Sequence, residues 1–373
     1  SQYFFNKFNI YQMIFYVKLW LLFTPPNPKQ TLTNIEWCNM LPRLTNIPQL
    51  SPLVSDYLDA LRLQHFEGDI ASNYADRLSL ATDNSVYQQL PQAILFPKSI
   101  ADVVRLTKLA QQEKYLSLTF TPRGGGTGTN GQSINNNIIV DLSRHMTKIL
   151  ELNVKERWVR VQAGVVKDQL NQFLKPHGLF FSPELSTSNR ATLGGMINTD
   201  ASGQGSLQYG KTSDHVLGLR AVLINGEILE TSAVKSDDVF RYTEESSLSA
   251  NVKKIHQEIF QRCKDKRSQI LNDLPQLNRF LTGYDLKNVF NDDLSEFNLT
   301  RILTGSEGSL AFICEATLDL MPLPQHRTLI NIKYNSFDAA LRNAPFMVKA
   351  NALSVETVDS KVLNLAKQDI IWH

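Results

Sequence analysis

Arg123-Gly-Gly-Gly-Thr-Gly-Thr-Asn-Gly131 places five glycines in nine residues, and the fold turns on what kind of loop this is. Gly126-Thr-Gly128-Thr-Asn-Gly131 has the G-x-G-x-x-G spacing of a dinucleotide fingerprint, a weak signal alone. In a Rossmann unit the loop opens a helix, and an acidic residue follows about 20 positions later. Here Ser133-Ile-Asn-Asn-Asn137 leads into the apolar strand Ile138-Ile-Val-Asp-Leu142, and Asp141 arrives too early. The Rossmann assignment fails. What remains is the physics of the loop. Glycines admit positive φ and close backbone approach, so successive N–H groups can face one concavity that suits a diphosphate. Hydrogen bonds to charged groups contribute about 1.5–3 kcal/mol each, so several amides account for firm binding. Arg123 either adds charge or braces the loop through an ion pair, and a surface turn without ligand is the bland alternative.

Upstream, Pro91-Gln-Ala-Ile-Leu-Phe-Pro97 reads as a short strand. Ser99-Ile-Ala-Asp102 has the form of a capping box, and Ile100, Val103, Val104, Thr107 and Ala110 keep helical spacing. Residues 115–120 read as the strand that feeds the loop. Downstream, Ile149-Leu-Glu-Leu152 and Trp158-Val-Arg-Val-Gln162 are further strands. Val166, Leu170, Phe173 and Leu174 mark a helix stopped by Pro176 and Gly178. Asn225-Gly226 turns a hairpin between residues 217–224 and 228–230. Residues 251–273 are helical, with Val252, Ile255, Ile259 and Cys263 on one face, and residues 310–320 form the last strand before the linker Met321-Pro-Leu-Pro324. The order predicts an α+β domain in two lobes, not one doubly wound sheet.

Two further runs share the loop's texture. Thr192-Leu-Gly-Gly195 enters a stretch of small and hydroxyl residues to Gly210, and Gly194 and Gly195 are expected to open a helix whose amides face a phosphate. Thr304-Gly-Ser-Glu-Gly308 precedes the final strand. Each alone is usually a turn; three together suit a ligand long enough to touch all of them.

Composition narrows the function. Lys+Arg 38 against Asp+Glu 36 gives a net charge of +2, with the cations scattered, which argues against a nucleic-acid partner. Cys38, Cys263 and Cys314 form no C-x-x-C pair, so neither a disulfide framework nor a zinc or iron–sulfur ligand set is expected, and a cytoplasmic setting follows. No histidine spacing suggests a metal site. His177 and His215 read as structural, and Lys211 as a solvated loop lysine. Residues 10–23 are apolar but shorter than the roughly 20 residues that span a bilayer, with Lys18 inside. Residues 1–39 are therefore expected to be an extraneous or non-globular extension, with Met40 opening the globular part. At the other end a domain begins near Pro322, and residues 354–367 read as a strand or turn entering a helix that runs into Ile370-Ile-Trp-His373; the chain is expected to stop before that domain is complete.

The runs RGGGTGTNG (123–131), ATLGGMINTDASGQGSLQYGKTSDHV (191–216), GYDL (283–286) and TGSEGSLAF (304–312) occur in this order. Together they resemble the FAD-binding domain of PCMH-type flavoproteins, the vanillyl-alcohol-oxidase superfamily, over roughly residue 40 to the C-terminus. Within it they are most similar to bacterial D-lactate and D-2-hydroxyglutarate dehydrogenases fused to an iron–sulfur module. The resemblance implies a PCMH-type FAD-binding domain over residues 40–321 and the beginning of a substrate domain over 322–373. It implies that Arg123, Gly124, Gly125, Gly126, Thr127, Gly128, Thr129, Asn130 and Gly131 wrap the FAD diphosphate. Pro183, Gly194, Gly195, Asn198, Ala201, Gly203 and Ser206 would line the flavin and ribityl portion, with Tyr209, Gly210, Glu307 and Gly308 completing the pocket. Some relatives tether flavin through a loop histidine; Thr127 in that loop implies noncovalent FAD. The implied reaction oxidises a small D-2-hydroxy acid, passing hydride to flavin N5 and electrons on to an acceptor. A cofactor-binding piece without catalysis, or a glycolate-oxidase-type subunit, are the alternatives. The family's catalytic residues belong to the second domain, so no catalytic residue is named, and an iron–sulfur cluster would belong to sequence beyond this chain. No transmembrane span is implied, and peripheral association with the inner membrane stays open.

Overall fold

The computed structural model describes residues 48–277 and 283–369; the expected extension 1–39, the start at Met40 and the run 370–373 lie outside them. Residues 1–48 and 49–373 form separate units, and the second holds everything that follows.

Its first lobe opens with the helix Pro52–Leu63, capped by Ser51 Oγ on the Val54 N–H at 3.3 Å, and buries Val54, Tyr57, Leu58 and Leu61. The small sheet then runs through β1 (Asp69–Ala71), β2 (Ala93–Phe96), β3 (Phe120–Arg123) and β4 (Ile138–Asp141) in the order β1-β2-β4-β3. β1 is antiparallel, whereas β2 and β3 both pair parallel to β4. Parallel neighbours need a long crossover. Between β2 and β3 it contains the helix Ile100–Ala110; between β3 and β4 it is the irregular segment 124–137, the glycine loop itself.

Two local expectations shift. Ser99 caps the Ile100–Ala110 helix through the Asp102 N–H, but the Asp102 carboxylate does not return to Ser99. It accepts from the N–H groups of Lys98 at 2.9 Å and Glu67 at 3.0 Å, tying down the approach to β1. The strand expected over 115–120 begins only at Phe120. Residues Glu113–Tyr115 form a helical turn instead, because the Tyr115 ring stands edge-on to Tyr57 at 5.1 Å and its hydroxyl meets Asp56 Oδ2 at 2.7 Å.

The second lobe contains β5 (Ile149–Asn153), β6 (Trp158–Gln162), a short β7 (Leu179–Phe180), β8 (Val216–Val222), β9 (Ile228–Lys235), β10 (Glu296–Asn298), β11 (Phe312–Asp319) and β12 (Met321–Pro322). Six of these form an antiparallel sheet in the order β10-β9-β8-β11-β6-β5, and β12 pairs with β7. β11 thus fills the centre between strands made long before it. The expected helix over 251–273 is two, Ala250–Asp265 and Arg267–Asp273, broken at Lys266.

Val159, Val161, Leu219, Leu229, Phe260, Phe297 and Leu318 belong to this lobe's core. The far side of the sheet contributes Ala163, Val222, Phe312 and Cys314 to the first lobe's core beside Leu106, Val140 and Tyr57. Each such buried aliphatic or aromatic side chain is worth about 1.5–3 kcal/mol, so the lobes meet through packed core rather than a linker. After β12, the helices Phe337–Lys349 and Ser360–Ala366 bury no side chain among the described residues.

Candidate cofactor-binding cleft

The three glycine runs, separated by up to 185 positions, converge on one cleft of about 460 Å³. Its walls include the loop from Arg123 to Asn130, then Gly194, Gly195, Asn198 and Ala201, then Glu307 and Gly308. The first run rests on the second. Thr192, whose Oγ1 caps the helix Leu193–Asn198, backs onto Gly124, and a Cβ at Gly125 would collide with the carbonyl oxygen of Arg190. Gly126 has φ +61°, and a Cβ there would strike the Arg123 guanidinium, so both positions demand glycine. The second run holds the third. Asn198 Oδ1 accepts the Gly308 N–H at 3.0 Å, its backbone oxygen accepts that of Glu307 at 2.8 Å, and Ile197 accepts that of Gly305 at 2.8 Å.

The backbone donors divide in two. Among the described residues, the N–H groups of Gly124 through Thr129 donate to no protein acceptor, while that of Asn130 is taken by Gln132 Oε1 at 3.1 Å. The helix start expected to present its amides does not: Leu193, Gly194 and Gly195 donate to Val165 O, Ala163 O and Thr192 Oγ1. Among the described residues the free amides of the cleft wall are therefore concentrated in the first run. A six-amide cradle of this kind fits a diphosphate.

Arg123 is a brace, and it works through carbonyls rather than an ion pair. Its guanidinium donates to Thr82 O at 2.8 Å, Ser133 O at 3.3 Å and Leu80 O at 3.4 Å. Burial pulls its pKa down, opposed by the charges of Asp141 and Asp83. Asp141, at the end of β4, is pushed up by burial against the pull of the Ser143 hydroxyl and N–H and of Arg123. At the rim, the Glu307 carboxyl is also raised by partial burial, against a hydrogen bond from Gln132.

Several expected residues stand behind the wall. Gly131 lies under the Tyr87 ring, Gly203 against the Glu184 carbonyl and Gly210 against Asp214. Pro183, Ser206 and Tyr209 also lie off the lining; the Tyr209 carbonyl accepts from His215 Nε2 at 2.6 Å. His215 additionally meets Ser182 Oγ at 3.1 Å and faces Asp319 at 3.4 Å. This resembles a catalytic triad in outline, but Nε2–H is committed to a carbonyl and Ser182 and His215 are buried, so it locks structure. Lys211 is the clearest correction: it is buried, and its ammonium contacts Asp200 Oδ2 at 2.6 Å. Leu185 and Thr187 also line the cleft outside every expected run, and Thr192, Asp200, Asp285 and Gly305 line it from within the quoted runs without having been singled out. The hydroxyl-rich run Ser186-Thr-Ser188 before Thr192 carried a signal for part of that wall, while Asp200 and Asp285 were marked only by the runs that contain them.

Comparison with known proteins agrees with this geometry. A family model described as FAD binding domain matches residues 91–232, and one described as FAD linked oxidases, C-terminal domain, matches residues 323–373. A D-2-hydroxyglutarate dehydrogenase of Haemophilus influenzae is 82% identical over 334 residues, 90% of this chain and 32% of that protein. Its namesake in Escherichia coli is 62% identical over the same shares. The chain spans about a third of the length of these curated relatives. Among solved structures, an alkyldihydroxyacetonephosphate synthase superposes with a TM-score of 0.53 at 20% identity, covering 82% of this chain and 47% of that one, which shows a shared fold. Glycine cradle, paired sheets and family matches point the same way: the chain combines a match to the FAD binding domain with the start of a match to the FAD linked oxidases' C-terminal domain, and over 90% of its length it is similar to part of the D-2-hydroxyglutarate dehydrogenases.

Proposed function

We propose that this chain is the FAD-holding part of a D-2-hydroxyacid dehydrogenase that oxidises D-2-hydroxyglutarate, or D-lactate, to the 2-oxo acid. The observation that carries the reading is the cradle of unpartnered amides from Gly124 to Thr129 in a cleft joining three glycine runs. The relatives' printed names supply the substrate class. Bound FAD would supply the acceptor for the hydride leaving the carbon that bears the hydroxyl.

The chain's own residues would bind and orient it. The amides of Gly124–Thr129 would take the diphosphate, and Gly194, Gly195, Asn198 and Ala201 would form the wall along the rest of the molecule. Glu307 and Gly308, hydrogen-bonded to Asn198, would extend that wall. With Thr127 in the first run, the cofactor would be noncovalent. Residues 40–321 would make up the FAD-binding domain, and 322–373 would enter the substrate domain, to which the proton-accepting group and substrate contacts are assigned. Among the described residues no helix is long and apolar enough to cross a membrane, and a cytoplasmic placement with at most peripheral membrane contact is part of the proposal.

Absorption spectroscopy tests it in two steps. The purified chain should take up FAD, show the two-banded flavin spectrum and release the chromophore on unfolding; a chain that stays colourless with added FAD would refute the cleft assignment. The longer protein that contains this chain should then be bleached anaerobically by D-2-hydroxyglutarate or D-lactate. Bleaching by glycolate alone would instead favour a glycolate-oxidase-type subunit.

A further inference from the structure

Asp200 is a non-glycine residue with φ +46° on the wall of the cleft. The left-handed region costs backbone energy for any residue with a Cβ, and such residues persist where their surroundings hold them. Here the hold is visible. Asp200 Oδ2 accepts from Lys211 Nζ at 2.6 Å and Oδ1 accepts from the Ser213 N–H at 2.8 Å. The next residue is fixed from the same side: Ala201 O accepts both the Thr212 N–H at 3.1 Å and the Thr212 hydroxyl at 2.6 Å. Residues 211–213 thus form a strap behind 200–201. On its other side Asp200 packs on the third run, where a Cβ at Gly305 would lie 3.4 Å from its own Cβ.

Lys211 itself is not on the wall. Its side chain is 9% exposed and that of Asp200 6%, so removing one partner strands a buried charge, whereas the pair satisfies both. The strap is anchored in turn: Lys211 N–H donates to Asp214 Oδ2 at 2.9 Å, and Asp214 Oδ1 meets Arg301 at 3.0 Å.

We propose that Lys211 is a positioning residue for the cofactor: through the Asp200 carboxylate it holds the left-handed backbone at 200 and so sets the wall at 200–202 against FAD. The inference rests on the reading of the cleft as the FAD site. It assigns Lys211 no contact with the diphosphate, whose negative charge faces the amides of the first run.

The test is FAD titration of the full chain, followed by flavin fluorescence, with thermal unfolding of each apoprotein as the control for folding. Lys211→Met should weaken FAD binding about tenfold or more, the factor expected when a strained wall residue is released. Lys211→Arg should restore affinity to within about threefold of the unsubstituted chain, since guanidinium also reaches a carboxylate. The deciding variant is Asp200→Gly with Lys211→Met: glycine adopts the left-handed backbone without an anchor, so affinity should return to within about threefold. Unchanged affinity in Lys211→Met, or a folded double variant that still binds as weakly as the single one, would overturn the proposal; the second result would point to direct charge attraction. If Lys211→Met does not fold, the double variant decides alone, binding supporting the proposal and failure of the folded protein overturning it. Failure of the unsubstituted chain to bind FAD would sink the cleft assignment itself, a result distinguishable from either.

Discussion

Asn198 Oδ1 accepts the N–H of Gly308 at 3.0 Å, joining residues 110 positions apart. The same side chain donates from Nδ2 to Gly194 O at 2.9 Å. One amide thereby fixes the separation of the second and third glycine runs. Asn198→Ala removes both bonds and leaves the Gly308 N–H without its partner. A stability loss of about 1–3 kcal/mol is expected from that unmet donor, read as a lower denaturant midpoint, together with weaker FAD binding.

Gly125 faces the carbonyl of Arg190 with no room for a side chain. Gly125→Val should abolish flavin uptake, because the loop must move before its amides can converge. The flavin-to-protein absorbance ratio after gel filtration measures this. The rest of the fold should survive, since the loop lies outside both cores.

Among the described residues Arg123 is the one Lys or Arg on the cleft wall, and its guanidinium is engaged by three carbonyls. Affinity for FAD should therefore depend weakly on ionic strength, changing less than about threefold between roughly 0.05 and 0.5 M salt, where exposed charge attraction would be strongly screened. A steep salt dependence would mean that a lysine or arginine elsewhere carries the diphosphate. Arg123→Met should lower thermal stability, as it strips donors from Leu80, Thr82 and Ser133 together.

His256 is buried in the helix Ala250–Asp265 and donates from Nδ1 to Val252 O at 3.0 Å. Burial holds its pKa below the ordinary value of 6.5. The folded chain therefore resists a proton that the unfolded chain accepts. Its contribution to stability is present above 6.5 and is lost as pH falls from there through the depressed folded value. Thermal unfolding scans should show a midpoint that drops through this mildly acid window, and His256→Leu should flatten the drop.

Much of the cleft was legible because its signals are local. Glycine density at Arg123–Gly131 and the entry into the apolar run at Ile138 sufficed to reject a Rossmann loop, and the helix expected at Gly194 and Gly195 is present as Leu193–Asn198. Where reading failed, the deciding partner was distant or had no local mark. Residues 115–120 alternate like a strand, yet Tyr57 and Asp56 capture Tyr115 and delay the strand to Phe120. Gly194 and Gly195 do open a helix, but their amides are claimed by Ala163 and Thr192. Lys211 looked like any loop lysine because nothing in its neighbourhood announces a buried carboxylate at Asp200.

The central place of β11 bears on how the protein is made. A ribosome releases β5, β6, β8, β9 and β10 before it releases Phe312–Asp319. Until then the second lobe exists as two separate pieces, with β6 and β8 each presenting an edge that only β11 covers. Uncovered edges invite pairing with other chains, and that interval coincides with the slow, long-range closure that all-antiparallel sheets require. The nascent polypeptide is thus most exposed to aggregation just before its late strand arrives, and a chaperone that shields β6 and β8 would act during that interval.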